Sequence, residues 1–470
     1  MRPNRAAKRA RTESTKKEME IGYSFEKRGF PSSTAQGRHA FKWLLSGIGV
    51  RDFFAQYFEK KPAILHNDEK KFRELISVDK VREFVISGKK LRKGTDLDVT
   101  KYSVSEGRTT LNDPAGSYTS KATWDQVTEG GCSLRLLRPQ EHFDAIWHLC
   151  AWLEGFLGCV IGANAYLTPC ASQGFAPHFD DIDAFVCQVS GQKRWRVYGP
   201  RDDGLDVLPR ASSVDFTEEE MRDVEVLFDQ VLQPGDMLYL PRGTIHQAEC
   251  PERTGSHDVE EASLHVTISA FQKWTWADLL LESFQVAVQS AAAQDKSLRR
   301  TLPQGFGEFI GVSRSEGDEK LREWFETTMR QMVRRVGKHY PTDTAGDMMM
   351  TRFMRERLPP VGKSKKRKRE AGSASLVRAV GAGVARVVMD CTVGGDELPH
   401  LIHCVGNTRR ADLGSGEGLS CLPEEAFAIS FVLDKYPEAV RVSELPLGDV
   451  DDQVDLVRGL VDMGIVEVLQ

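Results

Sequence analysis

Gly174-Phe175-Ala176-Pro177-His178-Phe179-Asp180-Asp181-Ile182-Asp183-Ala184-Phe185-Val186-Cys187-Gln188-Val189-Ser190-Gly191-Gln192-Lys193-Arg194-Trp195-Arg196-Val197-Tyr198 reads as two β-strands joined by a Ser-Gly-Gln turn. The same texture extends from Gly162 to Phe271. Short runs rich in Val, Ile, Phe, Tyr and Trp are separated by Pro-Gly-Asp and Pro-Arg-Gly turns. Such a run of strands points to an antiparallel barrel or double-sheet jelly roll. On the second strand Lys193, Trp195 and Val197 share one face, and Arg194, Arg196 and Tyr198 the other. The face with Trp195 and Val197 is the interior one, so Lys193 points inward with them.

Outward from this core, helical spacing is read at Phe41 to Ile48 and Phe53 to Phe58, followed by a strand at Pro62-Ala63-Ile64-Leu65 and a helix over Ala145–Leu157. Downstream, Leu279, Leu280, Phe284 and Val288 mark one helix, and Leu321, Trp324, Phe325, Met329, Met332, Val333 and Val336 a second. Such apolar stripes are most often core, though an appended helical pair can also dimerise. The predicted organisation is a basic tail over 1–36, a jelly-roll domain with N-terminal helices over 37–272, and a helical domain over 273–362. A basic linker over 363–373 and a small domain over 374–470 complete it. In the last, helices near 376–387, 424–435 and 451–463 and a strand over Ile465–Leu469 suit a winged helix. The fold class is α+β.

Of the 470 residues, 40% are apolar and 28% charged; no apolar run reaches the roughly 18 residues of a membrane span, and the basic start has no apolar segment of a secretory signal. Nine cysteines without a CxxC pair fit a reducing compartment and buried thiols. Cys391, His400, His403 and Cys404 lie close together, but their His-x2-His step is shorter than usual zinc spacing, so buried thiols are preferred there too. The net charge of −5 conceals two basic blocks, residues 1–17 with seven Lys/Arg against one Glu, and Lys363–Arg369. These read as solvated segments, and also as nuclear or nucleolar addresses or arms touching nucleic acid nonspecifically. From Glu424 to Gln470 eleven acidic residues face three basic ones, which speaks against DNA binding there.

On a strand, residues i and i+2 share a face, so His178 and Asp180 can grip one metal ion. They are two parts of a 2-His-1-carboxylate triad, which leaves open positions on non-haem Fe(II). A His-x-Asp pair alone is common by chance. His246, beside the Pro241-Arg242-Gly243 turn at a barrel rim, supplies a third ligand. An inward Lys193 needs an anion, which a dicarboxylate cosubstrate supplies; the alternative is a lysine snorkelling out at the barrel edge.

With Asn164-Ala165-Tyr166 and Leu240 to Cys250, these motifs resemble the JmjC ribosomal oxygenases, and most the nucleolar histidyl-hydroxylase branch. The Phe53–Pro62 and Leu298–Pro303 segments also resemble that family, and the likeness covers residues 38–340, with a weaker extension to 470. It implies a JmjC/cupin-type double-stranded β-helix, a helical dimerisation domain with a homodimer, and a C-terminal winged helix. It further implies Fe(II) at His178, Asp180 and His246, and 2-oxoglutarate held at Lys193 with Asn164 and Ser269 lining its pocket. Tyr166 matches a position that faces substrate. Phe179 and Asp183 stand where relatives usually have Tyr and Glu.

The implied reaction decarboxylates 2-oxoglutarate and hydroxylates a substrate C–H bond. A histidine carbon yields hydroxyhistidine, whereas an N-methyl group on lysine yields formaldehyde and demethylation. The resemblance favours histidyl hydroxylation of a large-subunit ribosomal protein; the alternatives are a histone lysine demethylase using the same iron, and a non-catalytic chromatin or ribosome-assembly scaffold.

Overall fold

The protein, seen as a computed structural model, is described at residues 35–87, 91–113, 116–201, 207–252, 261–314, 319–361, 370–389, 398–410 and 418–469. The basic tail up to residue 34, the Lys363–Arg369 block and Cys391 lie outside the described residues. The chain divides into two compact units: residues up to 272, with short stretches from 357 and from 407, form the first, and the remainder forms the second.

In the first unit, helices α1 (Ala35–Leu45) and α2 (Val50–Gln56) precede β1 (Ala63–Leu65). Next come β2 (Leu97–Ser103), β3 (Gly107–Thr110), β4 (Ser133–Leu137) and helix α3 (Asp144–Leu157). The barrel strands are β5 (Gly162–Thr168), β6 (Ser172–Gln173), β7 (Asp183–Ser190), β8 (Lys193–Tyr198), β9 (Val226–Leu232), β10 (Met237–Leu240), β11 (His246–Cys250) and β12 (Ser263–Ala270). They form an eight-stranded sheet in the order β1-β10-β7-β12-β5-β4-β2-β3 and a four-stranded sheet in the order β6-β11-β8-β9. All pairings in both sheets are antiparallel, as a jelly roll requires.

Strand β7 is apolar along most of its length because both its faces are covered. Ala184 and Val186 pack inside with Trp195, Val197, Leu238 and Leu240. On the other face Phe185 meets Phe41 and Phe53 of the N-terminal helices, and Phe53 lies edge-on to Tyr239 at 4.8 Å. Between β7 and β8 the chain turns at Gly191, with φ +61°; a Cβ there would sit 2.4 Å from the Ala262 carbonyl oxygen, so only glycine fits. Lys193 thereby begins β8 pointing inward, and it is buried.

Helix α3 is tied to the start of β5 by a buried carboxylate. The Ile161 and Leu358 N–H groups donate to Glu154 at 3.2 and 2.8 Å, and the Arg357 guanidinium lies 3.9 Å away. This is how the returning stretch from 357 joins the first unit.

The second unit contains helices α4 (Trp276–Gln294), α5 (Glu319–Lys338) and α6 (Thr342–Glu356), with Ala287, Ala291 and Val336 forming an apolar contact between α4 and α5. The chain beyond residue 370 departs from the reading in one place. Instead of a helix near 376–387 there are two strands, β13 (Leu376–Ala379) and β14 (Ala385–Met389), in separate sheets. The β-branched valines and alternate burial of Val377 and Ala379 favour a strand, and Gly381 and Gly383, the latter at φ +60°, break any helix. Strand β13 lies between β17 (Val440–Arg441) and β18 (Val466–Val468), and β14 pairs with β15 (Pro399–His403), which pairs with β16 (Leu419–Ser420). Helices α7 (Pro423–Asp434) and α8 (Val450–Asp462) occupy the predicted positions. Seven of the eight described cysteines are buried and none is disulfide-bonded.

Candidate active site

The register of the large sheet fixes which side chains share the barrel interior. Opposite one another on β5 and β12 stand Thr168 and Ser263, Tyr166 and His265, Asn164 and Thr267, and Gly162 and Ser269. Ser133, Arg135 and Leu137 of β4 continue this face. From the small sheet Lys193 and Trp195 point inward against it, as the alternation along β8 requires. The interior is thus apolar on one side and polar on the other, a division that suits a small charged ligand.

His178 and His246 form an antiparallel bridge. The N–H of His178 donates to the His246 carbonyl at 3.1 Å, and the reverse bond is 2.9 Å long. Their rings lie 4.6 Å apart. The Nδ1 of His178 is 2.8 Å from the Ala176 carbonyl, and that of His246 is 2.9 Å from the Thr244 carbonyl. A carbonyl only accepts, so both Nδ1 atoms carry the proton and both Nε2 atoms are left as lone-pair donors. The Asp180 carboxylate lies 3.9 Å from His246 Nε2, and one ligand atom from each of the three residues falls within 4.8 Å of the others. Two imidazoles, each held through Nδ1 by a backbone carbonyl, and a carboxylate fit a divalent transition metal with open positions. Burial, and then the neighbouring His178, pushes the His246 pKa down to about 4, so its ring is neutral and available to a metal at physiological pH.

Lys193 is buried at the start of β8, on the same barrel interior. Its ammonium donates to Thr168 Oγ1 at 2.5 Å, and Ser133 Oγ donates to the same hydroxyl at 3.1 Å. Burial lowers its pKa to about 8. Between Lys193 and the triad lies an aromatic wall. His265 stacks on Tyr166 at 4.7 Å, Trp195 meets the His265 edge at 5.5 Å, and Trp195 lies 5.7 Å from His246. Tyr166 continues through Phe175 to His178. Arg135 and Asn164 hydrogen-bond the Tyr166 hydroxyl, whose pKa burial raises.

Every site residue singled out in the sequence therefore lies on this interior face or at its metal end, Ser269 partly exposed opposite Gly162. Thr168 and His265 were missed. His265 is buried with its Nδ1 unpartnered, and burial together with Lys193 and His246 holds it neutral. Its signal was the two-residue alternation of Ser263, His265, Thr267 and Ser269 with Leu264, Val266 and Ile268. Phe179 and Asp183 point elsewhere. Phe179 packs with Tyr198, Phe216 and Ile245, and Asp183 accepts the Tyr239 hydroxyl at 2.5 Å on the side facing the N-terminal helices.

Residues 135–279, which hold the triad and Lys193, match the JmjC domain, and residues 355–469 match the ribosomal oxygenase 1 C-terminal winged helix domain. Ribosomal oxygenase 1 of Rattus norvegicus is 35% identical over 460 residues, covering 94% of this chain and 74% of the relative. The chain belongs to the ribosomal oxygenase 1 family of JmjC oxygenases. Also similar to this ribosomal oxygenase is the bifunctional lysine-specific demethylase and histidyl-hydroxylase NO66 of Dictyostelium discoideum, at 34% identity over 90% of this chain and 81% of the relative. The crystal structure of the Escherichia coli ribosomal oxygenase YcfD is 16% identical, with a TM-score of 0.45 over 90% of this chain and 98% of that one.

Proposed function

We propose that this ribosomal oxygenase is an Fe(II)- and 2-oxoglutarate-dependent protein hydroxylase acting on a histidine of a large-subunit ribosomal protein. The observation that carries the reading is the convergence of His178, Asp180 and His246 on one point of a barrel interior that also holds a buried lysine, Lys193. When bound, the iron and 2-oxoglutarate supply oxidative decarboxylation coupled to hydroxylation of a C–H bond. His178 and His246 would hold the metal through Nε2, and Asp180 through its carboxylate. Lys193 and Thr168 would anchor the distal carboxylate of 2-oxoglutarate, Asn164 and Ser269 would line its pocket, and Tyr166 would face the substrate. Trp195, His265 and Tyr166 would form the apolar flank of this pocket, His265 stacking on Tyr166 and meeting Trp195.

The name of the Dictyostelium relative supports histidyl hydroxylation and also includes lysine demethylation. Both use the same ligands, so turnover separates them. Incubation with ribosomal-protein and methylated-histone peptides, followed by mass spectrometry, is expected to add one oxygen atom to an unmethylated histidine peptide. Loss of a methyl group from a methyl-lysine peptide, without hydroxylation of histidine, would replace this reading by demethylation. The basic blocks of the sequence support a nuclear, nucleolar site of action. Among the described residues no helix is long and apolar enough to cross a membrane. A homodimer through α4 and α5 is supported by their exposed Trp276, Leu281, Phe284, Trp324 and Val333.

A further inference from the structure

Cys170 and Cys250 bring their sulfur atoms to 3.8 Å without a bond between them. The two segments that carry them are already paired. Cys250 on β11 stands opposite Ser172 on β6, and the Ala171 N–H donates to the Pro251 carbonyl at 3.4 Å. A disulfide is about 2.05 Å long, so closure asks for a sulfur displacement of under roughly 2 Å, within reach of side-chain rotation. Cys170 is the one described cysteine that is not buried. It lines a cavity of about 530 Å³ with Lys101, Gln173, Arg194 and Glu249, through which a small oxidant can arrive. Cys250 is buried, and desolvation pushes its thiol up to about 11, so it suits the second step rather than the first. Its sulfur also donates to the Gln192 carbonyl at 3.5 Å, one residue before Lys193.

We propose that Cys170 and Cys250 form a peroxide-sensitive pair that closes reversibly into a disulfide and thereby loosens the seat of Lys193. The Cys170 thiolate attacks one oxygen of a hydroperoxide and breaks the O–O bond, giving a sulfenic acid; with hydrogen peroxide the other oxygen leaves as water after taking up a proton. The Cys250 thiol then attacks the sulfenic sulfur, forming the S–S bond and releasing a second water. Two thiols lose two electrons and two protons, and one peroxide is reduced to two waters. Closure draws Cys250 from the Gln192 carbonyl and so disturbs the residue that sets Lys193 in place. This second half rests on the reading of Lys193 as the cosubstrate anchor.

The test treats the full chain with hydrogen peroxide and compares wild type, Cys170→Ser and Cys250→Ser. Peptide mass spectrometry reads the cross-link, and calorimetry with 2-oxoglutarate and Mn(II) reads affinity before and after oxidation. The expected result is a 170–250 cross-linked peptide in wild type, reversed by a thiol reductant, with affinity weakened roughly tenfold, the lower bound for losing a hydrogen bond to a charged group. Neither serine variant should show either change. Absence of the cross-link overturns the proposal, and a cross-link with unchanged affinity overturns its link to Lys193. If reduced wild type binds no 2-oxoglutarate, the anchor reading fails and the link to Lys193 with it, while the mass spectrum still decides the disulfide.

Discussion

The ammonium of Lys193 donates to the Thr168 hydroxyl at 2.5 Å, and among the described residues no carboxylate lies within ion-pair distance of it. A buried cation held by a hydroxyl alone is a site prepared for an anion, at a cost in stability while the anion is absent.

That cost is measurable. Burial lowers the Lys193 pKa from 10.5 to about 8, so between these values the unfolded chain binds more protons than the folded one. Stability therefore rises with pH across this window, by on the order of 3 kcal/mol for this group. Lys193→Met is expected to be more stable than wild type at pH 7.5, to lack this increment above pH 8, and to lose 2-oxoglutarate affinity by at least roughly 100-fold. Urea denaturation at several pH values and calorimetry check all three.

Asp183 carries the opposite sign. Desolvation raises its pKa from 3.8 to about 7 despite the Tyr239 hydroxyl bonded to it. The folded chain then keeps a proton that the unfolded chain has lost, and this contribution to stability, complete below pH 3.8, is lost as pH rises through 7. Its full size is on the order of 4 kcal/mol. Asp183→Asn removes that slope, and denaturation midpoints at pH 5 and pH 8 should differ less in the variant than in wild type.

Gly191 links the fold to the site. With φ at +61° and the Ala262 carbonyl 2.4 Å from a Cβ position, Gly191→Ala is expected to lower stability by about 2–3 kcal/mol or more. Because this turn sets Lys193, 2-oxoglutarate affinity should fall as well. Thermal denaturation and calorimetry on the same sample test both.

The triad was legible because metal ligation needs particular residue types at particular spacings, and Lys193 because inward alternation made its charge anomalous. The β7 strand was legible from its apolar run and flanking turns. Thr168 and His265 were not, since threonine and histidine on a strand carry no signal until the β5–β12 register sets them opposite Ser263 and Tyr166. The strands at Leu376–Ala379 and Ala385–Met389 were misread as a helix because alanine and leucine sit among the valines there, and pairing with Val466–Val468 and Pro399–His403 decided the matter.

The exposed apolar side chains of α4 and α5 give a prediction about assembly. Leu281, 69% exposed, and Trp324, 50% exposed, are expected to be covered by a second copy. Leu281→Glu combined with Trp324→Glu should convert a dimer to a monomer in sedimentation velocity without unfolding the protein, and a wild type that sediments as a monomer would contradict this.

The most direct test of the central claim is anaerobic calorimetric titration of the metal-free protein with Fe(II), in wild type, His178→Ala and Asp180→Ala. The account predicts one site per chain in wild type and binding weakened at least roughly 100-fold in each variant, as the loss of a metal ligand requires. Tight stoichiometric binding that survives both substitutions would place the metal elsewhere and contradict it.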